Sequence, residues 1–162
     1  MLALKQKELS VWLEAIVLLL AASCLVLALL IVPEQAARLA VANPGYKDLS
    51  LPCLIFVEIT FIPVFVSLIL AWRTFADIGR DCSFSAKNAL RLRTISRLAL
   101  LDTLLYVAGA LVLLALDMLS FDILFITMCI VFMGFCFTVA SAALSHLTKK
   151  ASDMKSENDL TI

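Results

Sequence analysis

Four long apolar stretches, separated by short polar connections, constrain this chain more than any motif does. Each is long enough to cross a bilayer core about 30 Å thick, because an α-helix rises about 1.5 Å per residue. Backbone groups in lipid must be hydrogen-bonded within their own segment, and the stretches lack the alternation of barrel strands. The sequence therefore predicts an all-α fold, an integral membrane four-helix bundle. The four spans run from about Val11 to Val32, Leu51 to Trp72, Leu98 to Leu116 and Ile123 to Leu144.

The composition excludes a water-soluble domain. Hydrophobic residues make up 63% of the 162 residues and charged residues 16%, whereas soluble domains average about 45–50% and about 25%. A soluble domain of this length has too little interior to hide so many apolar side chains. We predict one transmembrane domain over residues 1–148, in contact with the lipid bilayer, and a polar tail over residues 149–162.

The distribution of lysine and arginine predicts the orientation. Of the thirteen basic residues, only Arg38 and Lys47 follow span one and precede span two, and the other eleven lie on the opposite side. The positive-inside rule places the more basic side in the cytoplasm. We therefore expect a multi-pass membrane protein with both termini in the cytoplasm.

Three carboxylates interrupt the apolar stretches, where a charge at mid-membrane costs at least about 2.5–3.5 kcal/mol. Glu14 and Asp102 lie near the cytoplasmic ends of their spans. We expect Glu14 to reach the interface or to pair with a nearby arginine. Asp102 is expected to pair with Arg97 or Arg73.

Glu58 lies deeper, about 10 Å from the outer surface by helical rise. Pro63 follows five residues later and removes a backbone donor, which can kink the helix. Two interpretations remain open. Glu58 forms a proton or cation site above the kink, or it makes an ordinary hydrogen bond to Thr60, Ser67 or Tyr106, which is the interpretation we favour.

The sequence offers little material for catalysis. A single histidine and the absence of a C-x-x-C pair argue against haem and thiol-redox sites. Phosphate-loop, zinc-protease and serine-hydrolase motifs are absent as well. We therefore expect a protein that is not an enzyme and holds no metal or cofactor. Because its net charge is zero, we also expect that it does not bind nucleic acid directly.

The connection between spans two and three is the most informative polar segment. Gly79 and the following serines indicate a turn, and Ser85 suits the N-cap of a helix that begins at Ala86 and runs into span three. Anionic lipid can hold such a basic segment, and a cytoplasmic partner is the other candidate. The candidate contact residues here are Phe84, Ser85, Asn88, Arg91 and Arg93.

The outer connections are short. Pro33 is expected to end span one, and a brief helix is expected over Ala36–Ala42. Asn43-Pro44-Gly45 is a turn signal, and residues 117–122 predict a tight turn.

The C-terminal segment ends in apolar side chains. Burial of each one contributes about 1.5–3 kcal/mol of favourable free energy, which an exposed side chain does not provide. We predict that it docks on a partner or on the inner loop, where Arg91 and Arg93 can meet its carboxylates. A frayed tail is the alternative. The candidate contact residues of this segment are Glu157, Asn158, Asp159, Leu160 and Ile162.

Two segments resemble a bacterial membrane family, domain-of-unknown-function family 2975. The run from Phe84 to Ile95 is similar to its Phe-Ser-x-x-Asn-x-x-x-Leu-x-x-Ile segment, and residues 155–162 are similar to its closing signature. Ser96 stands where many relatives carry glycine. The resemblance implies no known enzymatic activity. It also implies a helix-turn-helix transcription regulator as partner, because members are often encoded beside one.

These features favour a regulatory or scaffold protein of a bacterial plasma membrane that contacts a cytoplasmic partner. A small ion-linked transporter or channel-like homo-oligomer that uses Glu58 is the alternative. A purely structural membrane protein is the third interpretation.

Cysteine labelling in intact cells tests the orientation. In a background whose own cysteines are serine, a membrane-impermeant thiol reagent should modify Tyr46→Cys but not Lys155→Cys, because only position 46 is expected outside. Both should react after permeabilisation. Labelling of Lys155→Cys in intact cells contradicts the predicted orientation.

Overall fold

The computed structural model describes residues 6–42, 47–80 and 83–159, and these residues form helices and their connections without any strand. The helices are α1 (Gln6–Val26), α2 (Val32–Ala42), α3 (Lys47–Ile78), α4 (Ala86–Ala115) and α5 (Phe121–Asp159). A π-helical turn, Leu27–Ile31, joins α1 to α2.

Four stretches of helix are long and apolar enough to cross a membrane. The all-α, four-span prediction is therefore confirmed. The stretches are Gln6–Arg38, Asp48–Ile78, Ala86–Ala115 and Phe121–Glu157.

Each helix packs mainly against its neighbours along the chain: α1 and α2 against α3, α3 against α4, and α4 against α5. Hydrogen bonds between helices set antiparallel directions. The hydroxyl of Ser10 donates to the carbonyl of Phe75 at 2.8 Å, and that of Ser145 donates to the carbonyl of Ala89 at 2.7 Å. The start of α1, the α3–α4 connection and the end of α5 therefore share one end of the molecule. We call residues 6–10, 73–80, 83–97 and 145–159 the basic end.

The most extensive helix contact, between α4 and α5, is built from small and hydroxyl side chains. Ser96 donates to the carbonyl of Thr138 at 2.9 Å, so the serine at this position keeps the helices close. A Cβ atom at Gly134 would overlap the hydroxyl of Thr103. Small residues permit such close approach of helices in lipid. On α5 they recur at spacings of four and three residues: Gly134, Thr138, Ser141, Ser145 and Thr148.

Span one does not end at Pro33, and this prediction was wrong. The helix continues through the π-helical turn into α2, which includes the brief helix expected over Ala36–Ala42. The amide of Val32 donates to the carbonyl of Leu27, five residues back. A widened turn immediately before the proline relieves the clash of its ring with the preceding helical turn. The predicted turn Asn43-Pro44-Gly45 lies outside the described residues.

The predicted tight turn between spans three and four is confirmed. The amides of Asp117 and Met118 donate to the carbonyls of Leu114 and Leu113 at 3.0 and 2.9 Å. With Asp117 at a φ of 56°, this is a Schellman motif that ends α4. α5 then begins at Phe121. So short a reversal makes α4 and α5 antiparallel neighbours.

Candidate functional site

An arginine-centred network holds the α3–α4 connection at the basic end. Nη1 of Arg91 donates to Oδ2 of Asp77 at 2.6 Å, to the carbonyl of Arg73 at 2.9 Å and to Oδ1 of Asn88 at 2.8 Å. The side chains of Arg91 and Asp77 are only 13% and 21% exposed. Because the pair is partly removed from water, it fixes the end of α3 to the first turns of α4.

Ser85 caps α4 as predicted. Its backbone is extended (φ −122°, ψ 149°), and its hydroxyl accepts from the amide of Asn88 at 3.2 Å. Asn88 is fully buried, and its side-chain amide donates to the carbonyl of Ser83 at 3.4 Å. Ser85, Asn88 and Arg91, all candidate contact residues, thus shape the connection from within.

The two other candidates lie on the outward surface of the basic end. Phe84 is 60% exposed, and Arg93 is exposed as well. The ion pair of Arg91 joins it to Asp77 on α3, whereas the sequence suggested the carboxylates of Glu157 and Asp159 for it.

The chain beyond span four is helical rather than a loose tail. α5 has 39 residues, about twice the roughly 20 that a bilayer requires. Leu147, Ala151 and Met154 follow one another at spacings of four and three, so they lie on one helix face. Leu147 is 62% exposed and Met154 is 53% exposed. We call these three residues the α5 stripe.

The predicted docking segment falls partly within this extension. Glu157 is exposed on α5, and Asn158 and Asp159 complete its last turn. Leu160 and Ile162 lie outside the described residues. Sequence reasoning missed the extension, although residues 145–159 contain neither proline nor glycine, which was the available signal.

Glu14 is hydrogen-bonded to a hydroxyl group rather than paired with an arginine. Its Oε1 lies 2.9 Å from the hydroxyl of Ser10, which also donates to the carbonyl of Phe75. A Cβ at Gly79 would lie 2.8 Å from the same hydroxyl. Glu14 therefore belongs to the α1–α3 contact near the basic end.

Glu58 does not make the hydrogen bond that we favoured. The hydroxyls of Thr60 and Tyr106 bond to each other at 3.0 Å across α3 and α4, and Ser67 donates to the carbonyl of Pro63 at 2.8 Å. Oε1 of Glu58 is buried and has no hydrogen-bond partner among the described residues. The expectation failed because the three hydroxyls satisfy one another or the backbone.

Asp102 does not pair with Arg97 or Arg73, and that prediction was wrong. Its Oδ1 is buried and has no hydrogen-bond partner among the described residues. Asp102 precedes Tyr106 by one helical turn. Tyr106 contacts α3 through Thr60 and through Phe56, with ring centroids 5.9 Å apart. Asp102 therefore lies on the α4 face directed at α3, away from the arginines at the basic end.

The register of the helices places Glu58 at about the same depth as the π-helical turn. Ser50 on α3 donates to the carbonyl of Ala36 on α2. Glu58 follows Ser50 by eight residues, and Ala28 precedes Ala36 by eight. In antiparallel helices Glu58 is then about level with Ala28, which is buried within the π-helical turn. Such turns occur frequently at functional sites.

The arrangement offers oxygen atoms rather than a metal centre. Within the described residues, no three side chains of histidine, cysteine, aspartate or glutamate are grouped so that they could hold a metal ion. The chemistry available to Glu58 and Asp102 is the binding of a proton or of a small cation.

The comparisons with known proteins agree with a membrane protein. A family described as "Protein of unknown function (DUF2975)" matches residues 34–162. The uncharacterized membrane protein YoaS of Bacillus subtilis (strain 168) is 28% identical over 155 residues, which cover 94% of this chain and 97% of that protein. No solved structure matches the chain.

Replacing the carboxylate of Glu58 tests the packing described above. Glu58→Leu should raise the unfolding free energy in detergent by about 1–3 kcal/mol, because it removes a buried oxygen that no donor satisfies. Tyr106→Phe is the matched control and should lower stability slightly, since it breaks a satisfied hydrogen bond. Thermal unfolding followed by circular dichroism measures both. Destabilisation by Glu58→Leu would reveal a partner for the carboxylate.

Proposed function

Since this chain belongs to the DUF2975 family and its four membrane spans agree with its similarity to a membrane protein, we propose that it is a membrane-bound regulatory or scaffold protein. In this proposal the basic end faces the cytoplasm of a bacterium and binds a soluble partner there. The observation that supports the proposal is the helical extension of α5. Neither catalysis nor a cofactor is needed for this role.

The extension has the dimensions of a recognition element. The fifteen residues 145–159 follow Leu144, the end of predicted span four, and they extend about 22 Å at 1.5 Å per residue. Spanning the membrane does not require them. Their apolar α5 stripe has the spacing by which amphipathic helices dock into grooves.

The charge of the extension is consistent with a protein partner rather than with nucleic acid. Residues 145–159 contain three basic and three acidic side chains, so they present no positive field to a phosphate backbone. An apolar stripe with a mixed polar surround is typical of protein–protein contacts. The resemblance noted above suggests a small helix-turn-helix regulator as the occupant, and DNA binding would then belong to that regulator.

The capped start of α4 supports the same role. The Arg91–Asp77 pair joins α4 to the end of α3, and the exposed Phe84 directly precedes the capping Ser85. An exposed aromatic side chain on a rigid element is a common anchor for a partner. The connection and the extension both emerge at the basic end and offer two points of attachment.

Co-purification with a helix-turn-helix regulator encoded by an adjacent gene tests the proposal. Met154→Asn should reduce recovery of the regulator roughly tenfold, because burial of a methionine contributes about 1.5–3 kcal/mol. Ser156→Asn is the matched control, since it introduces the same side chain two residues away on another helix face. It should leave recovery unchanged. Failure of the unmodified protein to retain the regulator, or equal recovery with both variants, contradicts the proposal.

A second candidate function is ion-linked transport or a channel-like oligomer that uses Glu58. The buried oxygen of Glu58, which has no hydrogen-bond partner among the described residues, supports it, because ionisable groups within membrane spans commonly mark ion or proton pathways.

Proton flux into liposomes, followed with a pH-sensitive dye, tests this second function. The unmodified protein should conduct, Glu58→Gln should abolish the flux without changing the melting temperature, and Glu14→Gln should retain it as the peripheral control. Absence of flux from the unmodified protein contradicts this function.

A further inference from the structure

An apolar groove follows α4 on a face that α3 and α5 leave uncovered. It is shallow and mostly open, has a volume of about 370 Å³, and is lined by residues of α4 alone: Arg97, Leu100, Leu101, Leu104 and Leu105. Leu101 and Leu104 are 52% and 57% exposed. The groove is therefore a surface that some apolar molecule must cover, with a guanidinium at one end.

Two arginines at that end are available for an anion. Arg93 and Arg97 are one helical turn apart on α4, and both are exposed. Among the described residues, the ion pairs are those of Arg38 with Glu34 and of Arg91 with Asp77. The guanidinium groups of Arg93 and Arg97 thus have no carboxylate counter-ion in this part of the chain.

The depth of these residues corresponds to the layers of a phospholipid. Predicted span three begins at Leu98, so Arg97 lies at the membrane boundary and Arg93 about 6 Å beyond it. Leu104 lies about 10 Å inside the hydrocarbon by the same rise. Arginine can place its stem along apolar surface while its charged group stays at the headgroup level.

We propose that α4 binds an anionic phospholipid, with its phosphate on Arg93 and Arg97 and one acyl chain in the leucine groove. The charge selects an anionic lipid over a zwitterionic one, because two unpaired guanidinium groups attract a headgroup of net negative charge as well as donating to its phosphate oxygens.

Thermal unfolding of the full chain in detergent, titrated with phosphatidylglycerol or phosphatidylcholine, tests this site. Phosphatidylglycerol should raise the melting temperature at concentrations where phosphatidylcholine does not. Arg93→Gln combined with Arg97→Gln should weaken this effect roughly 30-fold in lipid concentration. Leu104→Trp should also weaken it by filling the groove.

A double variant with the same loss of charge is the control. Lys149→Gln combined with Lys150→Gln lies at the basic end on α5, away from the groove, and should keep the response to phosphatidylglycerol. An equal loss in this control would indicate diffuse attraction and contradict a site on α4. An equal response to phosphatidylcholine contradicts it too, and so does a dimer that forms through this face as lipid is removed.

Discussion

Lipid as a solvent is the constraint on which the whole structure depends. Between helices in a bilayer there is no hydrophobic driving force, because the surrounding acyl chains are as apolar as leucine. The helices must then associate through close backbone approach and hydrogen bonds. Hydroxyl residues accordingly dominate the buried positions, and the large apolar side chains face outward. The contact of Gly134 with Thr103 and the bond from Ser96 to the carbonyl of Thr138 show how α4 and α5 meet this requirement.

The same constraint explains why the carboxylates of Glu58 and Asp102 are unusual in this structure. A hydroxyl in the membrane can bond to a carbonyl of its own helix, as Ser67 does with Pro63. A carboxylate needs a donor from elsewhere, and neither Oε1 of Glu58 nor Oδ1 of Asp102 has one among the described residues. Buried groups of this kind reduce stability. Their persistence within the membrane spans is the reason to test them for proton binding.

At the basic end, the polar side chains that shape the start of α4 are satisfied, so function there falls to the exposed residues. Arg91 is bound to Asp77, and Asn88 is buried in the connection, so neither presents a free surface. The features left are the α5 stripe, the exposed Phe84 and the pair Arg93 and Arg97. The first two suit a soluble protein, and the arginines suit an anionic lipid. The two roles are compatible because they use different helices or different faces.

Local features of this protein were predictable from its sequence alone. The four spans, the Ser85 cap and the tight turn at residues 117–122 depend on neighbouring residues and on the thickness of a bilayer, and all were confirmed. Only the tertiary structure decided that Arg91 pairs with Asp77 and that the buried oxygens of Glu58 and Asp102 lack a hydrogen-bond partner among the described residues. These depend on the register between helices, where a shift of one residue rotates a side chain by about 100°. Local sequence rules also failed to predict the π-helical turn before Pro33 and the continuation of α5 to Asp159. Proline is compatible with a helix once the preceding turn widens, and a polar helix can persist where it extends one already anchored in the membrane.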